Sequence, residues 1–206
     1  MKRTLTLLII IGVSAGFYCF AQAGDMEPPG PPAPTMVTLQ EIYDEVKSPP
    51  PDTCFDTVGR YVDCGNGTVK DNITGLVWLK DASCLVSNDW AGANIAAAQL
   101  ADGQCGLTDG SSPGDWRLPT KDEWGVIIDQ AIANGCSDPY VPDVVGTGCC
   151  GTGTCAFSGL ESQLFWSSST WASVPDNAWG ADLWFGDLFV DIKTLEAWVW
   201  PVRGGK

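Results

Sequence analysis

The cysteines constrain this chain more than any other residue type. The sequence holds nine. Cys19 falls in an amino-terminal stretch that reads as a secretory leader. Lys2 and Arg3 give its positive start, residues 5–20 are almost wholly apolar, and Ala21-Gln22-Ala23 has the form of a cleavage site. Removing residues 1–23 leaves Cys54, Cys64, Cys84, Cys105, Cys136, Cys149, Cys150 and Cys155. An even set in an exported chain predicts disulfides rather than free thiols. Closeness along the chain favours Cys54 with Cys64 and Cys84 with Cys105. Cys136 and Cys155 are then left to pair with the Cys149-Cys150 doublet. The expected location is secreted, periplasmic or cell-surface. The apolar run is short for a membrane span and no stop-transfer charge follows it, so no span is expected.

Two negative facts narrow the chemistry. The chain has no histidine. That removes Ser-His-Asp and Cys-His catalysis, His-ligated zinc and facial-triad iron. The formal charge is −14 and becomes about −16 without Lys2 and Arg3, since residues 1–23 contain no acid. A surface of that sign repels nucleic acid, whose binding needs Lys/Arg patches.

The chain divides into the leader at 1–23, a Pro-rich stalk at 24–53 and a domain at 54–206. In the stalk, Thr38 and Glu41 have capping-box spacing, and Leu39, Ile42, Tyr43 and Val46 form one apolar stripe. So short a helix is marginal alone, so it is expected to dock on the domain or to self-associate. In the domain, a first strand is expected within 55–62. Cys64-Gly65-Asn66-Gly67 reads as a hairpin turn, followed by strands over 68–71 and 75–80 around an Asn72-Ile73-Thr74-Gly75 turn. Residues 81–89 read as a loop. An alanine-rich helix over 90–100 is capped by Asn88 or Asp89. A loop spans 101–115, and a cysteine-rich, glycine-rich loop spans 137–160. Strands over 165–169, 178–183, 188–192 and 197–202 suggest an antiparallel meander, with the last strand returning beside the first. Strands around two helices make an α+β class.

The sharpest local signal is Trp116-Arg117-Leu118-Pro119-Thr120-Lys121-Asp122-Glu123-Trp124. Pro119 keeps Leu118 extended. Thr120 and Glu123 make a capping box, and Asp122 and Glu123 put negative charge in the first turn. Trp124, Ile127, Ile128, Ala131 and Ile132 follow at helical spacing, and Asn134-Gly135 ends the helix. This stretch resembles the one that opens the second helix in the formylglycine-generating branch of the C-type-lectin-like fold.

A closer resemblance covers the chain from about Cys54 onward. It rests on five segments in order: residues 61–69, 71–78, 114–119, 165–169 and 200–205. Together they resemble the bacterial secreted domains typified by the C-terminal domain of the Legionella collagen-like protein. The resemblance implies a C-type-lectin-like fold and an exported location, with glycan binding attributed to one member type. The calcium-dependent lectin motifs do not carry over: Asn88-Asp89-Trp90 has the wrong order and Val174-Pro175-Asp176 lacks the first ligand. Neither does a thiol-oxidase pair, because no cysteine follows Cys155.

Ten tryptophans dominate the side-chain inventory. Trp78, Trp116, Trp124, Trp166 and Trp200 are expected in the core, with indole N–H groups on backbone carbonyls. Trp171, Trp179, Trp184 and Trp198 are the surface candidates. Sugars stack C–H faces on aromatic rings and offer hydroxyls to carboxylates. Trp171, Asp176, Asn177, Trp179, Asp182, Trp184 and Asp187 are therefore the candidate ligand-binding residues. The expected function is a non-catalytic binding or adhesion module for a glycan or surface polymer. A structural or assembly subunit is the alternative, and an oxidoreductase or hydrolase the distant one. No cofactor or catalytic metal is expected, and a structural calcium in an Asp/Asn loop is the variant of that reading.

Overall fold

The computed structural model describes Cys54 and residues 58–160 and 163–204. The leader, the stalk and the stripe Leu39, Ile42, Tyr43 and Val46 lie outside the described residues, as does most of the stretch expected to lead into the first strand. Among the described residues the elements run β1 (Tyr61–Asp63), β2 (Thr68–Asp71), β3 (Leu76–Leu79), β4 (Leu85–Asn88), α1 (Trp90–Gln99) and α2 (Lys121–Ala133). Then follow β5 (Leu164–Thr170), β6 (Asn177–Asp182), β7 (Asp187–Ile192), β8 (Ala197–Val199) and β9 (Val202–Gly204). No helix among the described residues is long and apolar enough to cross a membrane.

One sheet has the order β1-β2-β3-β9 and is antiparallel throughout. Its turns follow from their side chains. Asn66 accepts from the Thr68 N–H at 3.2 Å and the Thr68 hydroxyl at 2.7 Å, closing the β1–β2 turn. Gly67 there has φ +83°, and a Cβ would run into the Gly106 backbone. Asp71 ends β2 by accepting from the Ile73 N–H at 2.9 Å. It also holds the buried Arg60 at 3.1 Å.

The second sheet has the order β4-β8-β5-β6-β7 and is mixed. The expected meander holds for β5, β6 and β7 but not beyond. β8 crosses back and lies parallel to β5, with Phe165 opposite Trp198. Burial drives this. Ala197 and Val199 pack in one core with Ala93 and Ala97 of α1, Leu118, Trp166 and Ala178. A β8 placed beside β7 would leave those residues in water. β4, in a stretch expected to be a loop, forms because β8 supplies its partner: Leu85 faces Val199 and Asn88 faces Ala197, with a bulge between. Its four residues, all half-buried except the exposed Val86, are too few to show a period of their own.

The strand expected over 197–202 is two strands in two sheets. Pro201 has no N–H to donate to a ladder. The chain switches there: the Leu79 N–H donates to Pro201 O, and β9 pairs with β3 rather than with the first strand. Arg203 therefore stands opposite Val77.

The helices cover opposite faces of the second sheet. Asp89 caps α1 by accepting from the Gly92 N–H at 2.7 Å, and Ala93 and Ala97 are its buried residues. Thr120 and Glu123 cap α2 reciprocally. Trp124 of α2 meets Trp78 of β3, Phe165 of β5 and Trp200, with ring centroids 5.4–5.7 Å apart. This aromatic cluster joins both sheets to α2, and such pairs contribute roughly 0.5–1.5 kcal/mol each beyond their buried area. Ile132 lies at the outer edge of the helical stripe. Its side chain is 53 % exposed, while Trp124, Ile127, Ile128 and Ala131 are buried. Four disulfides close the loops: Cys54–Cys64, Cys84–Cys105, Cys136–Cys149 and Cys150–Cys155. The first two are the pairs that proximity favoured, and the doublet, left open by the sequence, divides as Cys149 to Cys136 and Cys150 to Cys155.

Candidate functional site

The residues of the strongest sequence signal build the scaffold. Arg117 donates through Nη1 to Glu123 Oε2 at 2.8 Å and to Leu118 O at 3.1 Å. Through Nη2 it donates to Glu123 Oε1 at 2.7 Å and to Gly204 O at 3.2 Å. Its backbone exchanges both hydrogen bonds with Val202. Glu123 also accepts from the Thr120 N–H at 2.7 Å. Burial alone would raise the Glu123 carboxyl. The hydrogen bonds from Arg117 and Thr120 and the guanidinium charge outweigh burial and hold it below its ordinary value. The signature thus fixes the start of α2 to the last strand, and neither charged group is left over for a ligand.

The five tryptophans expected in the core are fully buried there. Trp124, Trp166 and Trp200 donate their indole N–H groups to Trp166 O, Asn88 O and Leu79 O. Trp78 and Trp116 depart from the expectation: their indole nitrogens have no hydrogen-bond partner. Trp198, one of the four surface candidates, packs half-buried against the main core.

The remaining candidates fall into two groups at opposite ends of β6. At its start, the Trp171 N–H donates to Asn177 O at 2.9 Å and continues the β5–β6 ladder. Thr170 faces Ala178, so alternation puts Ser169, Trp171, Asn177 and Trp179 on one face. The first turn of α2 lies on that face. The Lys121 N–H donates to Ser169 Oγ at 3.1 Å, and its ammonium stands 5.8 Å from the centre of the Trp179 ring. Trp171, Asn177 and Trp179 are half-buried and Asp176 is exposed. At the far end of β6, Asp182 caps the β6–β7 turn by accepting from the N–H groups of Trp184 at 2.9 Å and Phe185 at 3.1 Å. Its carboxylate is structural. Trp184 and Phe185 stand out on this turn, 56 % and 71 % exposed, and Asp187 is exposed beside them. β6 is six residues long, so about 17 Å separates the two ends. Trp171 and Trp184 do not share a site.

Sequence reasoning missed a groove of about 530 Å³ between α2 and the β6–β7 turn. Asp122, Gly125, Val126, Asp129 and Ile132 form one wall, and Gly186, Asp187 and Leu188 the other. Gly186 has φ +72°, and the Tyr140 ring fills the place its Cβ would take. Tyr140 belongs to the disulfide-closed loop, whose backbone donates to Leu183 O at 3.0 Å. No local signal marked it, because its two walls come from segments more than fifty residues apart in the chain. A smaller recess of about 140 Å³ lies by Lys70, Val77 and Arg203, and Asp109 holds the Arg203 guanidinium at 3.3 Å. Among the described residues no group of three or more acid, cysteine or histidine side chains could hold a metal ion.

The family described as the Lcl C-terminal domain matches residues 67–203, and the chain belongs to that family. A comparison with curated proteins returns no match.

Proposed function

We propose that this Lcl C-terminal domain is a secreted, non-catalytic binding module of C-type-lectin-like fold, and that its ligand is a glycan or surface polymer. The binding face is the start of β6, where Trp171, Asn177 and Trp179 share one side of the sheet with Asp176 at its edge. That shared face is the observation that carries the reading. Two half-buried indoles offer flat apolar area at little conformational cost, and the amide and carboxylate supply directional partners for hydroxyls.

Three further facts support the reading. The four disulfides suit an exported chain. All eight cysteines of the domain are bonded, so no thiol is at hand for redox catalysis. The chain has no histidine for proton transfer near neutral pH. A titration of the mature protein with a panel of oligosaccharides, read by tryptophan fluorescence, tests it. A saturable change that Trp171→Ala removes and Trp184→Ala keeps is the expected result. A response that depends on Trp184 alone overturns the placement.

A further inference from the structure

The groove between α2 and the β6–β7 turn lies at the other end of β6 from the proposed sugar face, and we propose that it is a docking site for a cationic amphipathic segment of a partner protein. The apolar part of the groove is Val126, Ile132 and Leu188. Val126 and Ile132 are 40 % and 53 % exposed. Its charged part is Asp122, Asp129 and Asp187, all exposed, against the single ammonium of Lys121, which is engaged with Asp122. Apolar side chains lined by acids on both walls select an occupant with apolar residues on one side and Lys or Arg on the other.

Gly125 is an independent pointer to that occupant. A glycine inside a helix costs roughly 1 kcal/mol relative to alanine. A Cβ at Gly125 would meet nothing within 4 Å. No neighbour among the described residues needs the space, so the glycine leaves room for something outside them. The chain's own apolar stripe, Leu39, Ile42, Tyr43 and Val46, is a poor occupant because Glu41, Asp44 and Glu45 lie among it. A second mature copy carries the same net charge of about −16, the full-chain −14 less Lys2 and Arg3. Anionic lipid is repelled by the same acids.

The test uses the full mature chain and two synthetic peptides of one amphipathic helical pattern, Leu/Lys and Leu/Glu, followed by calorimetric titration. The Leu/Lys peptide binds and the Leu/Glu peptide does not. Asp129→Lys weakens binding by about tenfold. Glu196→Lys makes the same charge change on an exposed residue outside the groove and costs about twofold or less. Gly125→Leu fills the groove, keeps or raises the melting temperature, and weakens binding by about tenfold. Equal losses for Asp129→Lys and Glu196→Lys would make net charge the cause and overturn the proposal. So would full affinity in Gly125→Leu, or no binding of the Leu/Lys peptide at all. Self-association of the chain, or adsorption to phosphatidylcholine vesicles, that Gly125→Leu abolishes would assign the groove to another occupant and overturn it as well.

Discussion

Arg117 grips both carboxylate oxygens of Glu123, at 2.8 and 2.7 Å, while its second Nη donor also reaches Gly204 O. One side chain therefore ties the cap of α2 to the C-terminal strand. Breaking it should loosen both. Glu123→Gln keeps a cap but loses the charge-assisted fork. The cap geometry stays, so the loss is that of a partly exposed ion pair, up to about 1 kcal/mol. The pH dependence has a definite sign. Glu123 is held below its ordinary value, so its contribution is present above the unfolded-state value of about 4.3 and is lost as pH falls through the lower folded-state value. Urea midpoints measured from pH 6 to 2.5 should fall for the natural protein and fall less steeply for Glu123→Gln. Parallel curves would contradict this.

The aromatic core should dominate stability. Trp124→Ala opens the contact between the two sheets and α2, and such truncations cost about 3–5 kcal/mol. Trp184→Ala removes an exposed ring and should change stability by less than about 0.5 kcal/mol. Thermal melts of the two variants check the contrast.

The disulfides should contribute unequally. Cys84–Cys105 spans 21 residues around α1 and Cys150–Cys155 spans 5. Loop-closure entropy gives about 3 kcal/mol for the first and about 2 kcal/mol for the second. Double-alanine variants of each pair, compared by chemical denaturation, should show the larger loss for Cys84/Cys105. Under denaturing, non-reducing conditions, thiol titration of the mature chain should find no free cysteine.

Two glycines should respond in opposite directions. Gly186→Ala forces a Cβ into the Tyr140 ring at a positive φ and should destabilise by more than about 1 kcal/mol. Gly125→Ala meets no neighbour in a regular helix and should gain up to about 1 kcal/mol. Denaturant midpoints of the two variants decide this.

Much of this architecture was legible in the sequence because its signals were local. Thr120 and Glu123 are three residues apart, Asn66-Gly67 sits between two short strands, and each disulfide partner is near in the chain. What was missed depends on distant partners. β4 exists because β8 comes to it from more than 100 residues away, and β8 leaves β7 because Ala197 and Val199 bury against α1. The candidate site was legible as residue types and not as a place. Trp171 and Trp184 both stand near acids in the chain, yet β6 holds them apart, and the Asp182 carboxylate is consumed by its own turn. Ile132 fits the helical stripe by spacing, but the core ends one residue earlier, at Ala131.

The most direct test of the binding role is a glycan array of the mature protein beside its Trp171→Ala variant, each run with calcium and with a chelator. The account predicts a specific signal for the natural protein that survives chelation and disappears in the variant. No signal in either condition, or one that Trp171→Ala leaves intact, would contradict it.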